Sequence, residues 1–224
     1  MNVRIIIFAL VSWLTLASCG TEYQVEGSSS VSRLDGKMLF VKVSNGKELI
    51  KVDSAEVIHG LFRMEGKLDS TVMASLYMDD QNIMPLVMEK GKIQIKIDNT
   101  YITATGTPLN NKLYEFVARK NALDDRAYEI ERMESRMIMD GKPFSEVEQE
   151  IAKERANLSD EFDKLVKEFV QNNYENVLGP AIFQMMSNGY TSPKITPLME
   201  QILKEAPESF RSHTMVRSLV DASR

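Results

Sequence analysis

Apolar and polar residues alternate along the first half of the chain and recur at three- and four-residue steps along the second. Ile93, Ile95 and Ile97 stand among Lys92, Gln94, Lys96 and Asp98, the period-two pattern of a strand with one buried face. Val72, Ala74, Leu76 and Met78 repeat the pattern. So do Leu39, Val41 and Val43, ahead of the hairpin signal Asn45-Gly46. Turn sequences at Asp35-Gly36, His59-Gly60, Asp79-Asp80 and Lys90-Gly91 cut residues 37–107 into seven or eight short strands. That spacing predicts an antiparallel β-sandwich or open barrel.

The period changes at Pro108. Leu113, Phe116, Val117, Leu123, Ile130, Met133 and Met137 follow a helical repeat, which Asp140-Gly141-Lys142-Pro143 interrupts. Ser145 and Glu148 then read as a capping box. Val147, Ile151, Leu158, Phe162, Leu165, Val166, Phe169 and Val170 form the apolar face of a second helix. Two helices of about 30 residues, roughly 45 Å each, joined by a short break predict an antiparallel hairpin. Shorter helices are expected at residues 180–188, 196–205 and 207–222. The fold class is α+β, with an N-terminal β-domain (37–107) and a C-terminal helical domain (108–224).

The first residues carry a different message. Arg4 precedes an apolar run from Ile5 to Ala17, too short to span a bilayer at about 20 residues but suited to a secretory signal. The run ends in Leu16-Ala17-Ser18-Cys19-Gly20, which resembles the bacterial lipobox. Residues 1–18 are therefore expected to be removed and Cys19 to accept lipid. Residues 19–36, polar and containing Gly27-Ser28-Ser29-Ser30, are expected to form a flexible tether.

Charge and composition then narrow the partners. The formal charge of −5 becomes −6 without Arg4 (26 Lys+Arg against 32 Asp+Glu), which supplies neither a nucleic-acid footprint nor a polybasic grip on lipid. The membrane is expected as a partner only through lipid on Cys19. Cys19 is the one cysteine and Trp13 the one tryptophan, so the processed chain would have no free thiol and no indole. Without a thiol, dithiol redox chemistry by this chain alone is excluded.

Candidate chemistry is sparse. His59 and His213 have no partner at zinc-ligand spacing. Asp79-Asp80 and Asp124-Asp125 lack the frame of a calcium loop. Met133, Met137, Met139, Met185 and Met186 are the nearest approach to methionine clusters, and core packing is the simpler use of them. No nucleophile motif, phosphate loop or dinucleotide fingerprint occurs. No cofactor or catalytic residue is assigned. Tyr77, Tyr101 and Tyr114 are the available aromatic platforms for a glycan. Asp53-Ser54-Ala55 and Asp69-Ser70-Thr71 are similar to an O-glycosylation sequence of exported Bacteroidetes proteins, which makes Ser54 and Ser70 candidate acceptors.

Asp53-Ser54, Gly60, Phe62, Gly66, Glu89-x-Gly91 with the strand after it, and Gly106-Thr107-Pro108-Leu109-Asn110 together resemble the domain of unknown function 4369 of Bacteroidetes lipoproteins. In many relatives a helical stretch and a thioredoxin-like domain with Trp-Cys-x-x-Cys follow. This sequence has no Cys-x-x-Cys, so that activity does not carry over. The expectation is a non-enzymatic, lipid-anchored envelope protein, at the outer rather than the inner membrane, that binds an unidentified envelope protein or ligand. The alternatives are a non-catalytic accessory to a thiol-disulfide system, using an apolar groove with Met133, Met137 and Phe169, and glycan or peptide capture by the β-domain.

Overall fold

The computed structural model describes residues 21–44, 48–187, 192 and 194–223. Cys19, Trp13 and the Asn45-Gly46 turn lie outside them. The strands are β1 (Thr21–Ser29), β2 (Met38–Ser44), β3 (Leu49–Glu56), β4 (Leu61–Leu68), β5 (Val72–Met78), β6 (Gln81–Met88), β7 (Gly91–Ile97) and β8 (Ile102–Thr105). They form two four-stranded sheets, ordered β4-β1-β7-β8 and β3-β2-β5-β6, which do not close into a barrel. The helices are α1 (Pro108–Met139), α2 (Phe144–Gln171), α3 (Leu178–Met185), α4 (Pro197–Glu205), α5 (Glu208–Arg211) and α6 (Thr214–Ala222).

The expected tether is corrected by β1. Residues 21–29 are an interior strand, antiparallel to β4 and parallel to β7, so the first sheet is mixed. Tyr23, Val25 and Gly27 are buried and alternate with Glu22, Gln24, Glu26 and Ser28, the ordinary strand pattern with glycine in an apolar place. Glycine is required at that place. A Cβ on Gly27 would stand 1.9 Å from the Phe62 ring, which lies over it from β4. A Gly-Ser composition read as linker is here a packing solution, and the β-unit begins at Thr21 rather than residue 37.

Two more expectations shift. Helix α2 starts at Phe144 with Pro143 as its N-cap, and Ser145 makes no capping bond. The Pro143 carbonyl already accepts from the amides of Glu146 and Val147, which puts Ser145 inside the first turn. The last expected helix divides into α5 and α6 because His213 leaves the helical region at ψ 134°.

Strand pairing sorts the loops to two ends of the sandwich. Thr21 pairs with Leu68, Tyr23 with Gly91 and Val72 with Met88, so these residues share one end. The turns at Asp35, His59, Asp79-Asp80 and Asp98 to Tyr101 occupy the other. At the Thr21 end, β8 leads into α1. The first two turns of α1 then run beside β6 from Val87 toward Pro85, away from that end: Asn110 bonds Val87, and Tyr114 donates to the Pro85 carbonyl at 2.9 Å.

One hydrophobic core joins sheets and helices. Val25, Leu39, Leu76, Met88, Ile93 and Ile95 share it with Leu113, Val166, Phe183, Met199 and Phe210. A second, smaller core lies toward the far part of the α1–α2 hairpin, where Ile130 and Met137 meet Val147 and Ile151, with Met133 and Leu158 against them.

Candidate functional site

Strand alternation puts the odd-numbered core residues of β1 and β7 inward and leaves a polar outer face on the first sheet. Register fixes its rows. Arg63, Glu26, Gln94 and Thr105 stand side by side across β4, β1, β7 and β8, and Leu61, Ser28, Lys96 and Thr103 form the next row. Together with Ala55, Glu56 and Ile58 from the β3–β4 corner, these rows line a groove of about 840 Å³. Ile58 and Leu61 are 58% and 61% exposed, an apolar rim at one edge.

Charges on this face are cross-paired. Lys92 lies 2.7 Å from Glu26, which also accepts from Gln24 at 2.7 Å, and Arg63 lies 2.9 Å from Glu65. The Lys96 ammonium sits 5.2 Å from the Tyr101 ring centroid, and its hydrogen bond to Tyr101 holds its pKa above the ordinary lysine value. The groove therefore offers guanidinium, amide, hydroxyl and carboxylate groups beside two aliphatic side chains. Among the described residues no group of three or more His, Cys, Asp or Glu side chains is placed to hold a metal ion.

The sequence candidates fall elsewhere. Ser54 is half-buried inside β3, whereas Ser70 is exposed in the turn between β4 and β5. Cys19 lies outside the described residues. The expected groove with Met133, Met137 and Phe169 is corrected: Phe169 stacks on Phe116 at 4.4 Å in the main core, and Met133 and Met137 belong to the separate hairpin core. The helical repeat puts all three on apolar faces without revealing that they serve different cores. Tyr77 lies in β5 of the second sheet, Tyr101 in the turn between β7 and β8 of the first, and Tyr114 is buried, so the three tyrosines form no shared platform. His59 occupies a left-handed turn at φ 51°. His213 lies between α5 and α6 and caps α6 by accepting from the Met215 amide at 3.3 Å. Asp80 lies 3.8 Å from Lys42, and Asp124 lies 2.6 Å from Lys120.

The residues that carried the family resemblance meet in space as joints of the fold. Tyr23 donates to Asp53 at 2.8 Å, tying the two sheets, and its hydroxyl occupies the place that a side chain on Gly66 would need. Gly60 has φ +74° and faces the Ser29 carbonyl, where a Cβ would stand 2.6 Å from the oxygen. Glu89 accepts from the amides of Leu109 and Asn110 at 2.8 and 3.0 Å. Asn110, fully buried, accepts from the Val87 amide at 2.9 Å and donates to the Val87 carbonyl at 2.7 Å. It thus occupies the free edge of β6 as a further strand would.

These joints define a two-sheet β-sandwich whose first helix seals one sheet edge. Residues 23–113, the sandwich with the opening turns of α1, match the family described as Domain of unknown function (DUF4369). A search of curated proteins gave no match.

Proposed function

We propose that this chain is a non-enzymatic, lipid-anchored protein of the bacterial envelope that binds a partner along the outer face of the first sheet. The observation that carries the reading is the groove across β4, β1, β7 and β8. It lies on the uncovered face of the first sheet, and it combines donors and acceptors with an exposed Ile58/Leu61 rim. Apolar anchors beside satisfied polar groups are the usual anatomy of a binding surface. The anchor rests on the sequence alone: an h-region, then Leu16-Ala17-Ser18-Cys19. On this reading the chain is a Bacteroidetes lipoprotein, held at the outer membrane rather than the inner.

Fatty-acid labelling should mark the wild type and not Cys19→Ala. In-cell crosslinking followed by isolation of the lipidated chain should recover a partner that is lost in Leu61→Asp and Gln94→Ala. Phe144→Asp, at the remote hairpin end, should retain it. Partner recovery that is indifferent to Leu61 and Gln94 would reject this face as the binding surface.

A further inference from the structure

The strand nature of residues 21–29 changes what a lipid on Cys19 would do. Only Gly20 lies between Cys19 and Thr21, the first residue of β1. Two Cα steps reach at most ~7 Å. A strand of nine residues extends ~30 Å. An acyl group on Cys19 therefore holds the Thr21 end of the sandwich against the lipid surface and leaves the opposite end beyond its reach.

Helix α1 departs from the Thr21 end and ascends beside β6, from Val87 toward Pro85. As one unbroken helix through Met139 it carries the exposed Ile138, Met139 and Phe144 away from that end.

We infer that the Thr21 end of the sandwich, with the Leu68–Val72 and Met88–Gly91 turns, is a membrane-apposed surface that sets the orientation of the whole chain on the bilayer. This rests on the anchoring reading above. The lipid leaves no slack for tumbling, the β4-β1-β7-β8 face stands upright from the membrane, and the apolar hairpin end projects away from it.

The mature chain offers no free thiol, so single cysteines report cleanly. Lys90→Cys, Asn99→Cys and Met139→Cys, each in the full lipidated chain, would carry a fluorophore on vesicles of phosphatidylethanolamine and phosphatidylglycerol with a headgroup nitroxide quencher. Quenching at position 90 should exceed that at 99 and 139 several-fold. A long Gly-Ser insert between Gly20 and Thr21 should erase the difference. Equal quenching at all three sites without the insert, or strongest quenching at 139, would overturn the orientation while lipidation stands. Loss of fatty-acid labelling would instead overturn the anchor, and the orientation with it.

Discussion

The carboxylate of Glu89 and the side chain of Asn110 meet at the start of α1, with Asn110 Nδ2 3.4 Å from the Glu89 oxygen that also takes the Leu109 and Asn110 amides. A carboxylate on the free amides of a first helical turn satisfies groups that would otherwise be buried unpaired, and it favours the positive end of the helix dipole. Asn110 extends the arrangement to Val87 and, through Nδ2, to the Thr107 hydroxyl at 2.9 Å. This buried polar node fastens the helical region to the β-sandwich.

Asn110→Ala strands the Val87 amide and carbonyl as well as part of Glu89, and should cost about 3 kcal/mol of stability. Glu89→Gln keeps an acceptor and loses the charge, at about 1 kcal/mol. Denaturant midpoints measure both. A neutral Asn110→Ala would mean that water replaces the node.

Gly27→Ala drives a methyl group into the Phe62 ring and should destabilise by about 2 kcal/mol or more. In a Phe62→Leu background the same change should cost much less, and a double-mutant cycle should show the coupling. Additive effects would separate the two residues.

Sequence periodicity made β2, β5, β7 and the α1–α2 hairpin legible, because each carries a complete apolar face. It hid β1 for a definite reason. Its third inward position is Gly27, whose justification is a ring in β4, and Gly27-Ser28-Ser29-Ser30 has the composition of a linker. The β1–β7 parallel pairing is likewise non-local. The groove was illegible because its rows draw single residues from four strands: Arg63, Glu26, Gln94 and Thr105 are neighbours only through register. Methionine spacing placed Met133 and Met137 correctly on a packed face but could not show where the sandwich core ends and the hairpin core begins.

The separate hairpin core predicts uneven stability. Ile151→Ala should cost about 3 kcal/mol locally. Amide exchange should accelerate around Ile130 to Ile151 while β1, β5 and β7 keep their protection. Uniform acceleration through the sheets would show that the two cores unfold together.

Alkaline stability should depend on two tyrosines. Burial, then the bond to Asp53, pushes the Tyr23 phenol above its ordinary value of 10.0, and burial alone does the same for Tyr114. With the folded pKa raised, the contribution is complete below pH 10. It is lost as pH climbs beyond that value, because the unfolded chain gives up its proton first. The expected slope is roughly 1.4 kcal/mol per pH unit for each tyrosine. Tyr23→Phe should lower stability at neutral pH and remove its share of that slope. Urea titrations at pH 8 through 11 decide the point.

The central position of β1 also gives the chain a mechanical character. A pull on the segment ahead of Thr21 acts along the strand axis, with β4 hydrogen-bonded on one side and β7 on the other. Both ladders are then loaded in shear together, rather than peeled one bond at a time as at a sheet edge. Extraction of the first strand is opposed by the whole width of the sheet, and it would uncover the core beneath Phe62 and Ile95 in a single rupture.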